Sequence, residues 1–248
     1  MDFKNKPILA MLHLYGGQKC MEQADDEIVI FEEEGVDGYI VENYGGGIEE
    51  VRGVLRLLNE FEKFETMYKG INILPNNFEL AFALASVYKL NFIQLDYISG
   101  QYVGRSASDT KKIDSYNYEK FRDKFPEIKV LGGVHPKYYT PILGSKLESD
   151  IEDAMERCDA IVVTGEGTGK ETPLDKIKKF RSIIGNNFPL IIGAGLTESN
   201  AEEQLQFANG AIVGSYFKQY GQAQFKVERE RVKELMDKVN HHRANTLL

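Results

Sequence analysis

The feature that most constrains the fold is an alternation, repeated along the whole chain, between short apolar runs and longer amphipathic stretches. The runs are dense in Ile, Val and Leu, which is typical of parallel strands that helices cover on the outside. Eight of these runs are predicted as strands: Pro7–Leu14, Val36–Asn43, Tyr68–Leu74, Asn91–Tyr97, Ile128–His135, Asp159–Thr164, Phe188–Gly193 and Gly210–Gly214.

The stretches between the runs show the period of a helix. In Gly47–Glu65, apolar residues recur at steps of three and four positions, which indicates one buried face. The same spacing predicts further helices over Phe78–Lys89, Leu147–Cys158, Leu174–Ile184, Ala201–Phe207 and Val227–Val239.

Eight β-α units match the α/β fold called the (β/α)8 or TIM barrel, and the 248 residues suit its usual length of about 250. No composition break or low-complexity linker marks a boundary, so residues 1–248 are predicted to form a single domain. A doubly wound open sheet is the alternative. Glycine turns near the end of the chain favour the barrel.

The charge balance and composition exclude several classes of protein. With 30 Lys and Arg against 38 Asp and Glu, the net charge of −8 argues against nucleic-acid binding, which depends mainly on basic residues. No apolar run approaches the ~20 residues that span a bilayer. Cys20 and Cys158 are too few for a disulfide framework and lack metal-ligand spacing. We therefore predict a cytoplasmic protein with no nucleic-acid partner and no membrane span. A homo-oligomer is compatible with the sequence.

Glycine turns follow the seventh and eighth predicted strands. Barrels often bind phosphate with these two loops and the N-terminus of a short extra helix. Glycine lets backbone N–H groups approach an anion, and a helix beginning near Ser215 would add its partial positive charge. Tight turns without a ligand are the alternative. The predicted phosphate-binding residues are Gly193, Gly195, Gly214 and Ser215.

A third glycine-rich loop, residues 164–170, follows the sixth predicted strand. Its spacing does not match that of a P-loop. In a barrel it would lie beside the phosphate site, where Thr168 or Lys170 could contribute. A glycine hinge with no ligand is the alternative.

Polar residues stand at the C-terminal ends of the predicted strands, which converge on the catalytic mouth of a barrel. The carboxylates Glu42 and Asp96 can act as general bases if burial raises their pKa values. The histidines His13 and His135 can exchange protons near neutral pH. These groups suit enolisation next to a carbonyl, or acid/base cleavage of a bond in a phosphorylated substrate. The remaining polar residues at strand ends are Asn43, Asn72 and Thr164.

Each of these residues also has a structural interpretation. Adjacent side chains on a strand point to opposite faces, so only one of Glu42 and Asn43 is expected to face the mouth. A metal bound by His13, Glu42, Asp96 and His135 would have acceptable ligand types, but nothing in the spacing favours it, and we expect no cofactor. No lysine lies at a strand end, which disfavours Schiff-base chemistry. The Ser- and Gly-rich segment Ser99–Ser115 is predicted to be a lid or a disordered surface loop.

Several motifs resemble those of the BtpA family, which is named for a photosystem I biogenesis protein and includes SgcQ-type proteins. The family is similar to the ribulose-phosphate-binding barrels, which implies a phosphate site at the mouth. Some members carry labels such as phosphoribosylanthranilate isomerase, and no single reaction comes with the family. The motifs that carry the resemblance are Pro7–Leu14, Gly35–Asn43, Gly70–Leu74, Val134–Lys137, Val163–Gly165 with Thr168 and Gly169, Gly193–Thr197 and Val213–Lys218.

The chain departs from the family pattern at the mouth. A Pro-rich turn after the first strand is replaced by Tyr15-Gly16-Gly17, and a usual Arg-Asn-Asp after the third strand becomes Pro75-Asn76-Asn77. An Asp before the fifth-strand histidine is Gly133. These departures are compatible with an altered substrate, or with loss of chemistry and retention of binding.

The leading interpretation is therefore a cytoplasmic barrel enzyme that isomerises or cleaves a small phosphorylated metabolite, a sugar or nucleoside phosphate. The predicted proton carriers are His13, Glu42, Asp96 and His135. Two alternatives stay open: an assembly or biogenesis factor that acts through the barrel surface, and a protein that binds a phosphorylated metabolite without turnover.

Overall fold

A closed parallel barrel forms the centre of the protein. The computed structural model describes residues 1–17, 20–60, 66–103 and 109–246. Within these residues the strands are β1 (Ile8–Tyr15), β2 (Gly38–Gly45), β3 (Tyr68–Asn72), β4 (Phe92–Leu95), β5 (Tyr102–Val103), β6 (Thr110–Lys111), β7 (Lys129–Gly133), β8 (Thr140–Pro141), β9 (Ala160–Val163), β10 (Leu190–Ile192) and β11 (Ala211–Val213). The barrel order is β1-β11-β10-β9-β7-β4-β3-β2. The predicted (β/α)8 barrel is confirmed, and the open sheet is wrong because β1 pairs with β11.

Helices cover the outside of the barrel. The α-helices of the described residues are α1 (Cys20–Glu33), α2 (Ile48–Glu60), α3 (Phe78–Val87), α4 (Ser115–Lys124), α5 (Leu147–Arg157), α6 (Leu174–Ile184), α7 (Ala201–Leu205) and α8 (Arg229–Thr246). None of these helices is long and apolar enough to cross a membrane. The helix predicted over Gly47–Glu65 is α2, and residues 61–65 lie outside the described part. Helices α1 and α4 were not singled out by the apolar spacing.

The segment predicted as a lid forms a small antiparallel sheet. Strand β5 pairs with both β6 and β8, which ties the loop after β4 to the loop after β7. Residues 104–108 of this segment lie outside the described residues. A role of Ser99–Ser115 as a lid stays a prediction.

The barrel interior is packed with apolar side chains. The side chains of this inner cluster come from strands all around the barrel, as expected for a filled (β/α)8 core. They are Leu9, Met11, Ile40, Phe92, Leu131, Ala160, Val162, Ile191 and Ile212. A larger apolar cluster joins the outer faces of the strands to the helices.

A buried ion pair holds the loop after β11 against α1. The Lys218 ammonium lies 2.5 Å from Glu27 Oε2, and the two side chains are 0% and 4% exposed. The other carboxylate oxygen of Glu27 accepts hydrogen bonds from the Val227 backbone N–H and the Gln23 amide. This pair fixes the position of the segment that begins with the predicted phosphate residues Gly214 and Ser215.

Breaking this ion pair is expected to destabilise the fold. Glu27→Gln leaves the Lys218 ammonium buried and unpaired, so the free energy of unfolding should fall by about 3 kcal/mol. The double variant Glu27→Gln with Lys218→Met removes both charges and should recover part of the loss. Urea unfolding of both variants tests this, with Arg229→Met in an exposed pair as the control. Equal losses in the Glu27 variant and the control would contradict the prediction.

Candidate functional site

A cavity of about 820 Å³ lies at the C-terminal end of the barrel. Residues at or after every barrel strand contribute to its wall, as expected for the mouth of this fold. The predicted site residues that line it are His13, Glu42, Asp96, Thr164, Thr168, Gly193, Gly195, Gly214 and Ser215. The strand ends therefore bring three of the four predicted acid/base residues, and the predicted phosphate residues, to one cavity.

The floor of the cavity is built by strand register. His13 on β1 pairs in register with Glu42 on β2, which pairs in turn with Asn72 on β3. Asn72 is aligned with Gln94 on β4. Residues paired in register on neighbouring parallel strands face the same side, so these four polar side chains form one level inside the barrel.

A buried amide links the two carboxylates of the floor. Asn72 Nδ2 donates a hydrogen bond to Glu42 Oε1 at 2.8 Å and a longer one to Asp96 Oδ1 at 3.3 Å. Asn72 is fully buried, and Glu42 is nearly so. The Tyr139 hydroxyl donates to Asp96 Oδ2 at 3.4 Å. The two acids therefore share one hydrogen-bond donor, the Asn72 amide.

Burial disfavours the ionised forms of both Glu42 and Asp96. Burial, followed by the nearby Asp96 charge, raises the pKa of Glu42 to about 8. Burial also raises the pKa of Asp96, although the Asn72 hydrogen bond and the Lys137 charge oppose the shift. Two neighbouring carboxylates in such a site titrate as a coupled pair. The pair can therefore supply both a general acid and a general base.

His13 stands beside this pair as a neutral imidazole. Its Nε2 lies 3.6 Å from Glu42 Oε2, and burial together with the positive charges of Lys218 and Lys137 holds its pKa well below the usual range. Among the described residues, buried His13 Nδ1 has no hydrogen-bond partner. The Tyr44 ring packs edge-on against the imidazole, with centroids 4.8 Å apart. A neutral ring with an unsatisfied nitrogen is suited to exchanging a proton with a ligand.

Glycine is required at two positions of the predicted phosphate loops. Gly195 has a φ of +72°, and a Cβ there would overlap the backbone of Lys170 and Glu171. A Cβ on Gly214 would lie 2.6 Å from His13 Cε1. The loops after β10 and β11 therefore approach the loop after β9 and the acid/base floor more closely than any side chain would allow.

A short 3₁₀-helix, Ser215–Phe217, begins after β11 as the sequence predicts. Within the described part of the chain, the backbone N–H groups of Gly195, Ser215 and Tyr216 have no acceptor. Such N–H groups in glycine-rich turns are donors that an anion can use.

Four predicted mouth residues lie outside the cavity wall, and one of them, Asn72, is buried in the floor beneath it. The Asn43 amide pairs with the Leu74 backbone, so β2 turns Glu42 inward and Asn43 away; strand alternation predicts only that one of the two faces the mouth. His135 Nε2 lies 2.7 Å from Asp150 Oδ2 on α5, and the ring packs on Tyr102 rather than in the cavity. Lys170 also lies outside the wall, whereas Thr168 belongs to it.

The structure also adds residues that the sequence interpretation missed. Lys137 lines the cavity and places its charge near His13, Glu42 and Asp96. Gln94 on the floor has an unsatisfied buried Oε1 among the described residues. The position of Gln94, opposite Asn72 on the next strand, was the available signal. Further wall residues that sequence reasoning could not place are Tyr138 and Tyr139 on the loop after β7 and Arg231 in the first turn of α8.

The departures from the family pattern serve local structure here. The Asn76 amide pairs with the Tyr97 backbone, and Asn77 Oδ1 caps α3 by accepting from the Leu80 N–H. Pro75 gives the cavity an apolar wall. A Cβ on Gly133 would overlap the Asp96 carbonyl oxygen, so this backbone has no room for a side chain there.

The described residues hold no group of three or more His, Cys, Asp or Glu side chains placed to bind a metal ion. His13, Glu42 and Asp96 face one cavity, but His135 points to α5 instead. The four residues named as a metal alternative are therefore not brought together.

Sequence comparisons support the resemblance carried by the motifs. The model of the BtpA family matches residues 4–241. An uncharacterised protein of Thermococcus kodakarensis is 29% identical over 100% of both chains. The photosystem I biogenesis protein BtpA of Synechocystis sp. is 25% identical over 94% of this chain and 88% of its own length.

Solved structures share the barrel at low sequence identity. Thiamine phosphate pyrophosphorylase from Pyrococcus furiosus superimposes with a TM-score of 0.65 at 12% identity, covering 97% of this chain and 98% of that one. Phosphoribosyl anthranilate isomerase from Thermus thermophilus gives 0.62 at 13% identity, with 95% and 98% covered. At this identity the likeness shows the shared fold.

The raised pKa of Glu42 makes stability depend on pH. The folded chain favours the protonated acid, so its contribution is fully present below the ordinary pKa of 4.5 and is lost as pH rises through about 8. Relative to Glu42→Gln, which stays neutral, the wild type should lose up to about 1.4 kcal/mol of stability per pH unit across this range. Urea unfolding at about pH 5 and about pH 8 measures the difference. Glu203→Gln, on the exposed surface of α7, is the control; parallel pH curves for wild type and Glu42→Gln would contradict the prediction.

Proposed function

We propose that this chain, which belongs to the BtpA family, is an enzyme that isomerises or cleaves a small phosphorylated metabolite by acid–base catalysis. The substrate class is a sugar or nucleoside phosphate, and no cofactor takes part. The observation that carries the proposal is one cavity in which a buried carboxylate pair lies beside the glycine loops after β10 and β11. A cytoplasmic location belongs to the same proposal.

The phosphate end of the proposed site is formed by Gly193, Gly195, Gly214 and Ser215. Their loops combine close backbone approach with N–H groups that lack acceptors in the described chain. In barrels of this fold, the loops after the last two strands frequently bind phosphate. Thr168, on the neighbouring loop, is a further ligand in the proposal.

The other end supplies proton transfer. At neutral pH we assign the general base to Asp96 and the general acid to Glu42, because the pKa of Glu42 lies at about 8. Asp96 takes a proton from a carbon next to a carbonyl, and the C–H electron pair forms the new C=C bond. The carbonyl π electrons move to oxygen, which receives a proton from Glu42. Neutral His13 lies beside Glu42 and can relay protons to it.

The names of two structural neighbours are compatible with this class of substrate, whereas the name of one relative favours a different function. The structural neighbours include a thiamine phosphate pyrophosphorylase and a phosphoribosyl anthranilate isomerase, both of which act on phosphorylated molecules by their names. The relative named as a photosystem I biogenesis protein favours a second candidate, an assembly factor that acts through the barrel surface. The polar floor at His13, Glu42, Asn72 and Asp96 favours the enzyme, because surface binding makes no use of buried, unsatisfied groups inside the barrel.

Binding of phosphorylated compounds tests the phosphate site. A thermal-shift screen against pentose, hexose and nucleoside phosphates should raise the melting temperature by about 5 °C or more at saturating ligand, with inorganic phosphate as reference. Ser215→Asp places a negative charge at the phosphate end and should abolish the shift. Ser215→Asn has the same shape without the charge and should retain it. No shift with any phosphorylated compound would favour the assembly factor.

Turnover of a compound found in the screen tests the carboxylate pair. Asp96→Asn and Glu42→Gln keep the shape of each side chain and remove its acid/base function, so each should lower kcat by about 100-fold or more. The thermal shift with the same compound should persist in both variants. Unchanged kcat in both would exclude these residues as the proton carriers.

A further inference from the structure

The loop after β7 has an unusual backbone on both sides of Lys137. His135 has a φ of +45° and Tyr138 a φ of +69°, in the left-handed region that non-glycine residues rarely occupy. Such conformations are strained for non-glycine residues and persist where surrounding contacts impose them. Lys137, between the two, faces the cavity.

Side chains from two helices hold the start of this loop. The His135 imidazole is bound to Asp150 on α5, with 2.7 Å between Nε2 and Oδ2. The Lys176 ammonium on α6 donates to the His135 carbonyl at 3.1 Å, and the Tyr102 hydroxyl accepts from the His135 N–H at 3.2 Å. The imidazole, the carbonyl group and the backbone N–H of His135 therefore all help to fix the position of the loop.

The same contacts extend to Lys137 itself. Its backbone N–H donates to Thr164 Oγ1 at 2.8 Å, and the Thr164 carbonyl accepts from Lys176 at 2.8 Å. The loops after β7 and β9 are thereby fastened together beside the phosphate end of the cavity. The Lys137 side chain projects from a fixed backbone toward the floor.

Among the lysine and arginine side chains of the wall, Lys137 has no ion-pair partner within the described part of the chain. Lys111 lies 2.6 Å from Asp109, and Arg231 lies 2.6 Å from Glu228. Across the described ranges, no carboxylate lies within 4.0 Å of the Lys137 ammonium. Its charge acts through space on His13, Glu42 and Asp96.

We propose that Lys137 binds the substrate oxygen that gains negative charge during proton transfer, and that His135 and Asp150 position it. The inference rests on the proposed function and adds the group that stabilises the intermediate. When the base removes the proton, the carbonyl oxygen becomes an enolate oxygen, and an ammonium N–H bound to it lowers the energy of that charge. The Lys137 ammonium donates this hydrogen bond and forms no covalent bond.

Two probes separate the Lys137 role from the phosphate site. 2-Phosphoglycolate carries a phosphate and a carboxylate, and one charged carboxylate oxygen stands where the enolate oxygen of a phosphorylated substrate would be. Inorganic phosphate carries only the phosphate group. Calorimetry should show that Lys137→Met weakens 2-phosphoglycolate binding about 10- to 100-fold, the size expected for a lost charged hydrogen bond, and changes phosphate binding less than about 2-fold. Lys137→Arg should retain most of the affinity. Lys233→Met removes one exposed charge on α8 and is the control.

Failure of the Lys137 assignment gives a different result from failure of the proposed function. Equal weakening of both probes by Lys137→Met, or of neither, would overturn the Lys137 assignment and leave the phosphate site standing. If the wild type binds neither probe, the proposed function fails, and the inference fails with it.

The positioning role of His135 has its own readout. Carboxyl groups labelled with ¹³C report the titration of Glu42 and Asp96, with His13, Lys137 and Tyr139 as the neighbouring titratable groups. Lys137→Met should move the lower carboxyl midpoint upward by about one pH unit, because it removes a nearby positive charge. His135→Phe should move it in the same direction, and His135→Gln, which can still bond to Asp150, should restore it. A wild-type midpoint in His135→Phe beside a shifted one in Lys137→Met would overturn the positioning role.

Discussion

The Asn72 amide is the contact on which the floor of the cavity depends. Its NH₂ group lies between Glu42 and Asp96 and donates to both. Without this shared donor, repulsion between the two buried carboxylates and the loss of their hydration would not be offset by any hydrogen bond, and their close approach would be unfavourable. With it, the pair retains ionisable protons inside a packed core. Strand register makes the contact between Asn72 and Glu42 available, because the pairing of β2 with β3 places these two residues at one level.

The charges of the cavity are distributed unevenly. The acidic floor is formed by residues in and directly after strands β1 to β4, and the glycine loops follow β10 and β11. Lys137 lies on the loop after β7, which is between these two groups of strands in the barrel order. A ligand with a phosphate at one end and a carbonyl at the other would meet a complementary group at each point. The buried Lys218–Glu27 pair belongs to the same arrangement, since it fastens the segment after β11 and its cation helps to keep His13 neutral.

Much of the fold and part of the site could be predicted from the sequence. Dense Ile and Val runs identify the barrel strands because parallel strands are buried on both faces. Strand alternation predicted that only one of Glu42 and Asn43 faces the mouth, and in the structure Glu42 is the one that lines the cavity. The same reasoning fails at His135, because the chain leaves β7 through a left-handed residue and the ring turns to Asp150. Lys137 was missed for the related reason that the position of a loop side chain depends on contacts from distant segments. Helix α4 buries only Tyr118 fully, so its apolar period was too weak to detect.

The most direct test of proton transfer by the carboxylate pair is exchange of substrate hydrogen with solvent. The protein is placed in D₂O with a sugar phosphate that stabilises it, and proton NMR follows the C–H next to the carbonyl. We expect this signal to disappear with the wild type and to persist with Asp96→Asn, because the carboxylate pair removes that proton. A sugar phosphate that binds tightly without any exchange, or equal exchange in both proteins, would contradict this expectation.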